Sequence, residues 1–362
     1  MSKYLSLLNL TYNKFKEYYY NKYYDREKIY IIGNGWSSYY LIKNLDKRKY
    51  KTIIISKNDK ILNTPKLVKS LKNNNDYNFK NLNTDIIINK VIDIDENKII
   101  TKHKNYKYKN VVFCIGSDTN NYGIKGVKEY SYKFKTLEDM NKLKETLNNK
   151  KLKNICIIGS GAVGIELSIL LKNNGYNIKV IEGMNNILPG FNKKTKEDIE
   201  KYLEKKNIEL YKNNFVKCIE KDKIITNKNI FNYDIAIWSG GIKFSGYENT
   251  ILFKTLNKYK RITPRGIEVN NNFSINDKNN IFCIGDMVSN KGPPTAQNAK
   301  NQAVWLSKYL NNNKKEIDEY KISEKGKVLH LCDDMYLENK IFNGFILKPI
   351  NYIIDFFIDN DF

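Results

Sequence analysis

Two stretches of the chain share one pattern of apolar and polar positions. In each, a short apolar run breaks into a glycine-spaced turn, continues as a segment of mixed polarity, and returns to a second apolar run; the turns read GNGWSS at 33–38 and GSGAVG at 159–164. Apolar runs of this length predict buried strands, and the segments between them predict helices. Each stretch is therefore predicted to be a strand–helix–strand unit of a parallel sheet with crossover helices.

The glycine spacing is typical of turns that bind a dinucleotide. The first glycine makes the tight turn, the second lets a pyrophosphate approach the backbone, and the third lets helix and strand pack closely. The helix N-terminus then offers N–H groups and a favourable dipole to the phosphates. Both turns have the strand-to-helix context that the motif requires, although a turn that binds nothing stays open as the alternative. The positions concerned are Gly33, Gly35 and Ser38 in the first turn and Gly159, Gly161 and Gly164 in the second.

The residue at the end of the second strand differs between the two units. Glu182 ends that strand in the second unit, where a carboxylate would accept hydrogen bonds from both ribose hydroxyls and would repel a 2′-phosphate. We therefore expect NADH rather than NADPH there. Ser56, beside Lys57, stands at the matching position of the first unit. Two such sites in one chain predict a nicotinamide nucleotide in the second unit, a flavin dinucleotide in the first, and hydride transfer between them.

Composition predicts a folded body of two or three domains. The chain has 362 residues, of which 41% are hydrophobic and 28% are charged, and this content argues against disorder. A net charge of +23 would suit anionic partners such as nucleic acid, acidic lipid or anionic cofactors. Because the lysines are spread along a chain that is also rich in Asn, Ile and Tyr, we attribute the charge to compositional bias and expect no nucleic-acid surface.

Residues of redox and metal chemistry are sparse. The 5 cysteines and 2 histidines show no CxxC or CxxxxC spacing and no catalytic pair, so we predict no disulfide framework, no metal site and no redox dithiol. The cysteines inside apolar runs are expected to be small buried hydrophobes. No apolar run of about 18 residues predicts a membrane-spanning helix, and no secretory signal is recognised near residue 1.

Several motifs, occurring in order, resemble those of the type II NADH dehydrogenases. These are single-chain NADH:quinone oxidoreductases within the two-dinucleotide-binding flavoprotein (pyridine nucleotide-disulfide oxidoreductase) superfamily. The resemblance runs from about residue 28 to 310 and rests on the first glycine turn with Trp36, on Thr64-Pro65, and on YKNVVFCIGS at 108–117, FNYDIAIWSGGIK at 231–243 and NNIFCIGDMVSNKGPPTAQNAKNQA at 279–303.

The resemblance implies an α/β fold with two Rossmann-like dinucleotide-binding domains, the NADH domain being inserted in the FAD domain. The implied division is an N-terminal extension over 1–27, a FAD-binding domain over 28–147 and 260–322, an NADH-binding domain over 148–259, and a C-terminal segment over 323–362.

The resemblance also implies which residues hold the cofactors. Asp286 would hydrogen-bond the ribityl chain of FAD, and Gly240 and Gly241 would let the backbone pass near the nicotinamide. The residues implied in binding FAD are Gly33, Gly35, Trp36, Ser38, Ser56, Thr64, Pro65, Gly116, Gly285, Asp286 and Ala296. Those implied in binding NADH are Gly159, Gly161, Gly164, Glu182, Gly240 and Gly241.

Three residues are implied in catalysis. Glu166 is expected in the first turn of the helix after the second glycine turn, where it would position flavin and nicotinamide or help deliver protons to a quinone; the alternative is that it only complements the helix dipole. Gln297, next to Ala296, would lie by the flavin ring on the quinone side. Lys300 begins a Lys-Asn-Gln-Ala run that departs from the family's Gln, Gln and Gly, and it would contact a quinone oxygen or a carboxylate, or face solvent.

The reaction implied is hydride transfer from NADH to FAD, followed by transfer of two electrons to a quinone, without proton pumping. The altered acceptor motif leaves open the same scaffold with another acceptor (a soluble quinone, a ferredoxin-like protein or oxygen) and a non-catalytic flavin-binding protein. The disulfide-reductase branch of the superfamily needs a CxxxxC motif, which this sequence lacks.

The C-terminal segment departs most from the family, whose members end in amphipathic helices that dock on a membrane. Ile350, Ile353, Ile354 and Phe357 recur at helical spacing, so we expect a helix that docks on a membrane surface or forms a homodimer. The expected location is a membrane surface, as a peripheral protein, at the mitochondrial inner membrane if the source is eukaryotic and otherwise in the cytoplasm.

Overall fold

The structure is a computed structural model. It describes residues 12, 15–59, 64–72, 84–149, 151–244, 261–263, 265–323, 328–331, 334–337 and 340–342. The chain divides into two compact units, each assembled from three segments. The first unit comprises 1–63, 78–118 and 243–323, and the second comprises 64–77, 119–242 and 324–362.

The first unit is built on a parallel sheet of 5 strands. Three of its buried side chains, Ile29, Ile31 and Ile54, have no exposed surface, as expected when helices cover both faces of a parallel sheet. The order of strands across the sheet is Ile281–Cys283, Asn110–Phe113, Glu27–Ile32, Tyr50–Ser56 and Asp85–Ile88.

Two helices of the first unit, Trp36–Asn44 and Ala296–Asn311, pack against each other. The Tyr50 hydroxyl donates to the Leu310 carbonyl at 2.7 Å, and the Asn311 side chain donates to the Asn44 carbonyl at 2.9 Å. The C-terminal end of the helix Ala296–Asn311 is therefore hydrogen-bonded to the first strand–helix–strand motif.

The smaller elements of the first unit lie around this sheet. They are an antiparallel sheet of Val91–Ile94, Lys98–Thr101 and Asn105–Lys107, a two-stranded hairpin of Ile262–Thr263 and Gly266–Ile267, and a helical segment over residues 15–23.

The second unit repeats the architecture of the first. Its parallel sheet also has 5 strands, in the order Glu209–Tyr211, Asn177–Ile181, Asn154–Ile158, Ile235–Trp238 and Tyr132–Lys133. Its helices are Leu67–Lys72, Val127–Tyr130, Leu137–Leu147, Ala162–Asn173 and Lys193–Lys205, with a 3-10 turn at Thr64–Lys66. Two antiparallel sheets complete it: Val216–Ile219, Lys223–Thr226 and Ile230–Asn232; and Val328–Leu331, Asp334–Leu337 and Lys340–Phe342.

The predicted α/β class is confirmed, with parallel sheets in which a glycine turn joins a strand to the helix that follows it. Short strands Ser117–Thr119 and Ile242–Phe244 stand where the chain passes from one unit to the other. Residues 119–147 belong to the second unit, whereas the sequence-based division assigned them to the FAD-binding domain; the distribution of cofactors between domains stays a prediction.

The membrane-related predictions are only partly within the described residues. Among these, no helix is both long and apolar enough to cross a bilayer. The apolar stripe expected over 350–357 lies outside the described residues.

Candidate functional site

The first glycine turn closes tightly against the sheet. Gly33 has a φ of +101°, and a Cβ there would lie 2.5 Å from the Cys114 carbonyl oxygen, so the bend requires glycine. Gly35, at the N-cap of the helix Trp36–Asn44, has open space where a Cβ would stand, with nothing within 4 Å. The turn is thus filled on its inner side and open on its outer side.

The second glycine turn has the same construction. Gly159 has a φ of +102°, and a Cβ there would lie 2.4 Å from the Ser239 carbonyl oxygen. A Cβ at Gly164 would lie 2.1 Å from the Gly159 carbonyl oxygen, whereas one at Gly161 would meet nothing within 4 Å. The close approach of helix and strand therefore depends on Gly164, and the outer side at Gly161 is open.

A serine replaces the third glycine in the first turn. The Ser38 side chain is fully buried, and its Oγ donates to the Gly33 carbonyl at 2.8 Å. This hydrogen bond links the helix to the turn, so the first unit achieves with a side chain what the second unit achieves by close backbone contact.

The helices that follow the two turns lack a side-chain cap. Their N-cap residues are Gly35 and Gly161, whereas three other helices are capped by the side chains of Thr136, Asn192 and Thr295. The first-turn N–H groups after a glycine turn therefore have no capping oxygen from the N-cap residue, which suits an anionic ligand. Both turns fit the pyrophosphate of a dinucleotide.

Glu182 is held beside the second glycine turn. Its Oε2 accepts hydrogen bonds from the Ser160 N–H at 2.9 Å and from the Ser160 hydroxyl at 2.6 Å, and its Oε1 accepts from the Met184 N–H at 2.8 Å. The carboxylate is thereby fixed in orientation at the end of the strand Asn177–Ile181. Its remaining lone pairs are suited to accept from ribose hydroxyls.

The glycine pair after the strand Ile235–Trp238 packs against aromatic rings. A Cβ at Gly240 would lie 2.9 Å from the Trp238 ring, whose Nε1 donates to the Asn120 carbonyl at 2.7 Å. Gly241 has a φ of +124°, and a Cβ there would lie 2.6 Å from the Tyr122 hydroxyl. Both positions therefore exclude larger residues.

Asp286 lies in a turn that two other segments support. The Ser117 hydroxyl donates to Asp286 Oδ2 at 2.8 Å. The Gly285 N–H donates to Gln302 Oε1 at 2.7 Å, and Gln302 Nε2 donates to the Lys291 carbonyl at 3.2 Å. Gln302 is only 1% exposed, so its amide is an internal strut between the helix Ala296–Asn311 and this turn.

The loop before the helix Ala296–Asn311 is also tied down. Thr295 caps the helix, and the Asn298 side chain donates to the carbonyls of Lys291 and Pro293 at 2.9 and 2.8 Å. The Tyr320 hydroxyl donates to Asn298 Oδ1 at 2.6 Å. These bonds hold Pro293 and Pro294, which precede the helix, and with them the half-buried Ala296 in one arrangement.

Two predicted catalytic residues lie on this helix. Gln297 is exposed, and its Nε2 donates to Asn301 Oδ1 at 2.9 Å. The Lys300 ammonium lies 4.7 Å from the centroid of the Tyr40 ring, which is stacked with Trp36 at 5.7 Å. Lys300 thus lies over the face of the Tyr40 ring, a contact that the sequence does not predict.

Glu166 is placed differently from the prediction. It is the fifth residue of the helix Ala162–Asn173, so it lies in the second turn, and no acidic residue occupies the first. Glu166 is 8% exposed, and its Oε1 accepts a hydrogen bond from the backbone N–H of His330 at 2.9 Å. The expectation of a first-turn acid was therefore wrong, because four residues of the helix precede Glu166.

Burial changes the protonation of this pair. Desolvation raises the pKa of Glu166 from 4.5 to about 7, against the opposing effects of the His330 N–H and the Lys69 ammonium. Desolvation, with Lys69 and Lys66 nearby, lowers the pKa of His330 to about 4. Near pH 7 the imidazole is therefore neutral and the carboxyl is partly protonated.

The remaining predicted residues lie in ordinary surroundings. The buried Ser56 accepts from the Asn58 N–H at 3.2 Å, and Gly116 has a φ of +66° with open space around it. Thr64 is exposed at the start of a 3-10 turn of the second unit, and the side chain of Pro65 lies outside the described residues.

The cysteines within strand-like runs are buried, as predicted. Cys114 and Cys283 end or extend strands of the first sheet, and Cys156 lies inside a strand of the second. Burial raises the pKa of Cys114 and of Cys156 to about 12. These thiols are therefore not activated nucleophiles.

Three residues that support the site were not predicted from the sequence. Ser160 orients Glu182, Ser117 orients Asp286, and Gln302 holds Gly285. Ser160 lies inside a glycine turn that was recognised, so its hydroxyl carried a local signal. Ser117 and Gln302 reach partners 169 and 17 residues away, and no local spacing rule indicates such pairs.

The model of the pyridine nucleotide-disulphide oxidoreductase family matches residues 27–303. A probable NADH dehydrogenase of Dictyostelium discoideum is 27% identical over 343 residues, which cover 80% of this chain and 74% of that protein. An external alternative NADH-ubiquinone oxidoreductase, mitochondrial, of Yarrowia lipolytica is 20% identical over 349 residues, which cover 79% of this chain and 59% of that protein.

A solved structure shares the fold. The NDH2 of Plasmodium falciparum in complex with NADH aligns with a TM-score of 0.79 at 19% identity, covering 91% of this chain and 94% of that one. The family model spans both glycine turns and the segment from Gly285 to Gln302. The chain therefore belongs to the pyridine nucleotide-disulphide oxidoreductase family.

Proposed function

We propose that this chain is an FAD-dependent NADH:quinone oxidoreductase of the type II NADH dehydrogenase kind, which does not pump protons. The observation that carries the proposal is the presence of two dinucleotide-type turns, one in each unit, of which the second is accompanied by the oriented carboxylate of Glu182. The relatives named for NADH oxidation support the same function.

When bound, the flavin supplies the redox chemistry, accepting a hydride and releasing two electrons, so that the chain needs no nucleophile of its own. The overall reaction converts NADH, a proton and a quinone into NAD⁺ and a quinol. The protein's task is to bind, orient and shield the reacting groups.

On the NADH side, the chain binds through the second glycine turn and Glu182. The N–H groups after Gly161 are suited to the pyrophosphate, and the carboxylate is suited to the adenosine ribose. A 2′-phosphate would be repelled by the same carboxylate. These contacts orient NADH and select it over NADPH.

On the flavin side, the chain would bind through the first glycine turn and Asp286. Gly33 and Gly35 would accommodate the pyrophosphate. Ser117 donates to the Asp286 carboxylate and orients it, and this carboxylate would accept from a ribityl hydroxyl. The exposed Gln297, and Lys300 over the Tyr40 ring, would lie on the quinone side of the flavin.

Glu166 would handle a proton. Its Oε1 is occupied by the His330 N–H, so Oε2 would carry the exchangeable proton. A carboxyl with a pKa of about 7 is half protonated at neutral pH, which suits a group that passes a proton on during quinone reduction.

The proposed setting is a membrane surface, because a respiratory quinone is dissolved in lipid. The Yarrowia lipolytica relative carries a mitochondrial name, and we extend that location, as the mitochondrial inner membrane, to this chain if its source is eukaryotic. Homodimer formation stays a prediction.

The test is an anaerobic titration of the purified, FAD-loaded chain with NADH, followed by the visible spectrum. Bleaching of the flavin at about one NADH per flavin would establish hydride transfer, and reoxidation by a quinone analogue would identify the acceptor. NADPH is the matched control and should bleach poorly. A flavin that stays oxidised would refute the reductase and favour a non-catalytic flavin-binding protein, and reoxidation only by oxygen or a ferredoxin-like protein would refute the quinone assignment.

A further inference from the structure

One helical segment carries a concentration of exposed aromatic side chains. Tyr12, Phe15, Tyr18, Tyr19 and Tyr23 are 61%, 69%, 61%, 44% and 60% exposed; we call these five residues the aromatic face. The ring centroids of Tyr19 and Tyr23 are 4.8 Å apart, so these two members are in contact. Soluble proteins rarely leave such a patch without a function.

Helix geometry explains why these rings share one side. Tyr12, Phe15, Tyr19 and Tyr23 recur every three or four residues, a spacing that places side chains along one stripe of a helix. Tyr18 borders the stripe. The spacing therefore places most of these exposed rings on one side of the segment.

On the opposite side of the segment, a buried arginine side chain forms hydrogen bonds. The Arg26 side chain is 5% exposed; its Nη2 donates to Glu17 Oε1 at 2.5 Å and to Asn21 Oδ1 at 2.6 Å. Its Nη1 donates to the Lys47 carbonyl at 3.4 Å, and its guanidinium lies 5.7 Å from the Tyr20 ring centroid. Arg26 therefore bonds the side of the segment that carries Glu17 and Asn21 and joins it to the Lys47 carbonyl, while the aromatic face on the other side is exposed.

Lysines accompany the aromatic face. The Lys16 ammonium lies 5.5 Å from the Tyr12 ring centroid, and the Lys22 ammonium lies 5.9 and 5.5 Å from those of Tyr18 and Tyr23. Tyrosine has an apolar ring and a polar hydroxyl, and lysine has an apolar stem and a cationic end, so both side chains favour the headgroup region of a bilayer. The patch therefore combines interfacial rings with charges that attract anionic lipid.

We propose that the aromatic face docks the chain on an anionic lipid bilayer. The segment would lie in the plane of the headgroups, with its rings below the phosphates and its lysines among them. The net charge of +23 adds a long-range attraction of the same sign. The inference deepens the proposed function and rests on it, because a lipid-dissolved acceptor gives docking its purpose.

The test measures co-sedimentation of the FAD-loaded full chain with vesicles of phosphatidylcholine, with and without phosphatidylglycerol. The triple variant Phe15→Ser/Tyr19→Ser/Tyr23→Ser should lower the partition coefficient about tenfold or more. Lys16→Gln and Lys22→Gln should each lower it roughly fivefold, and only on the anionic vesicles.

A matched control removes equally exposed side chains elsewhere. The control is Tyr130→Ser/Ile230→Ser/Ile322→Ser, at positions that are 45%, 65% and 52% exposed; it should bind vesicles like the unsubstituted chain. All variants should retain the thermal unfolding transition, because the substituted side chains face solvent.

Three results would overturn the inference: an unsubstituted chain that does not sediment with anionic vesicles, unchanged binding by the aromatic variant, or a chain dimer that the variant splits without any effect on vesicle binding. Flavin bleaching by NADH without vesicles is measured in parallel. If bleaching is absent while vesicle binding depends on the aromatic face, the proposed function fails and the docking surface stands.

Discussion

Replacing Gly161 by alanine should separate nucleotide binding from folding. Gly161 has φ and ψ of −67° and 177°, which any residue adopts, and its Cβ position is open to 4 Å. Alanine reduces the entropy of the unfolded chain but is a poorer N-cap than glycine, and these opposed effects leave the free energy of unfolding within about 1 kcal/mol of the original.

The same methyl group should weaken NADH binding strongly. It would stand where the pyrophosphate approaches the N–H groups of the helix Ala162–Asn173. Loss of one hydrogen bond to a charged group costs about 1.5–3 kcal/mol, which raises the dissociation constant roughly 10- to 150-fold.

Gly159→Ala is the contrasting variant. Its φ of +102° is strained for alanine, and the new Cβ would lie 2.4 Å from the Ser239 carbonyl oxygen. The strain and the backbone shift together should cost about 2 kcal/mol or more of stability. Gly159→Ala should therefore lower the melting temperature, whereas Gly161→Ala should not.

Calorimetric titration of the FAD-loaded proteins with NAD⁺ measures the affinity, and thermal melts without nucleotide measure the stability. Native affinity in Gly161→Ala would show that the pyrophosphate does not contact this turn. A destabilised Gly161→Ala, or a Gly159→Ala as stable as the original, would contradict the geometry from which both magnitudes were derived.

Three further substitutions test other parts of the site. Burial raises the pKa of Glu166 to about 7, so the folded chain binds this proton more tightly than the unfolded chain, and the stability present below pH 4.5 is lost as the pH rises through about 7. In urea unfolding at pH 4 and 8, Glu166→Gln should remove about 3 kcal/mol of this pH dependence, whereas Glu197→Gln, at a half-exposed position, should not. An equal pH dependence in the two variants would contradict the burial of Glu166. Glu182→Gln should raise the KM for NADH and improve use of NADPH in the bleaching assay, and an unchanged ratio of the two would argue against ribose recognition. Gln302→Leu leaves the buried Gly285 N–H without its acceptor and should cost about 1–3 kcal/mol in thermal melts, with faster FAD release; unaltered melting would contradict the strut.

Local signals explain what could be predicted. The two glycine turns were recognisable because a left-handed φ at Gly33 and Gly159, and a backbone contact at Gly164, admit no side chain, so the residue type itself reports the geometry. The parallel strands were recognisable because burial on both faces demands continuous apolar runs. The turn that holds Glu166 was misjudged, because its position was counted from Gly164 although the helix begins at Ala162.

Distant contacts explain what could not. Glu166 accepts a hydrogen bond from the backbone of His330, 164 positions away, and Asp286 accepts one from Ser117, 169 positions away. Neither pair has a spacing that a helix or strand would impose. The pKa of Glu166 depends on desolvation by packed neighbours, which exists only after the chain has folded.

By itself, the sequence determined the α/β class, the two glycine turns and the position of Glu182 at the end of a strand, because these features are dictated within about thirty positions. That Glu182 selects the ligand of its turn stays a prediction. Only the tertiary structure decided that Gln302 supports Gly285, that Lys300 lies over Tyr40, and that the aromatic face is exposed while Arg26 bonds the opposite side of its segment. The physical reason is that hydrogen bonds, cation–π contacts and burial depend on distances in space, which the packing of separate segments sets.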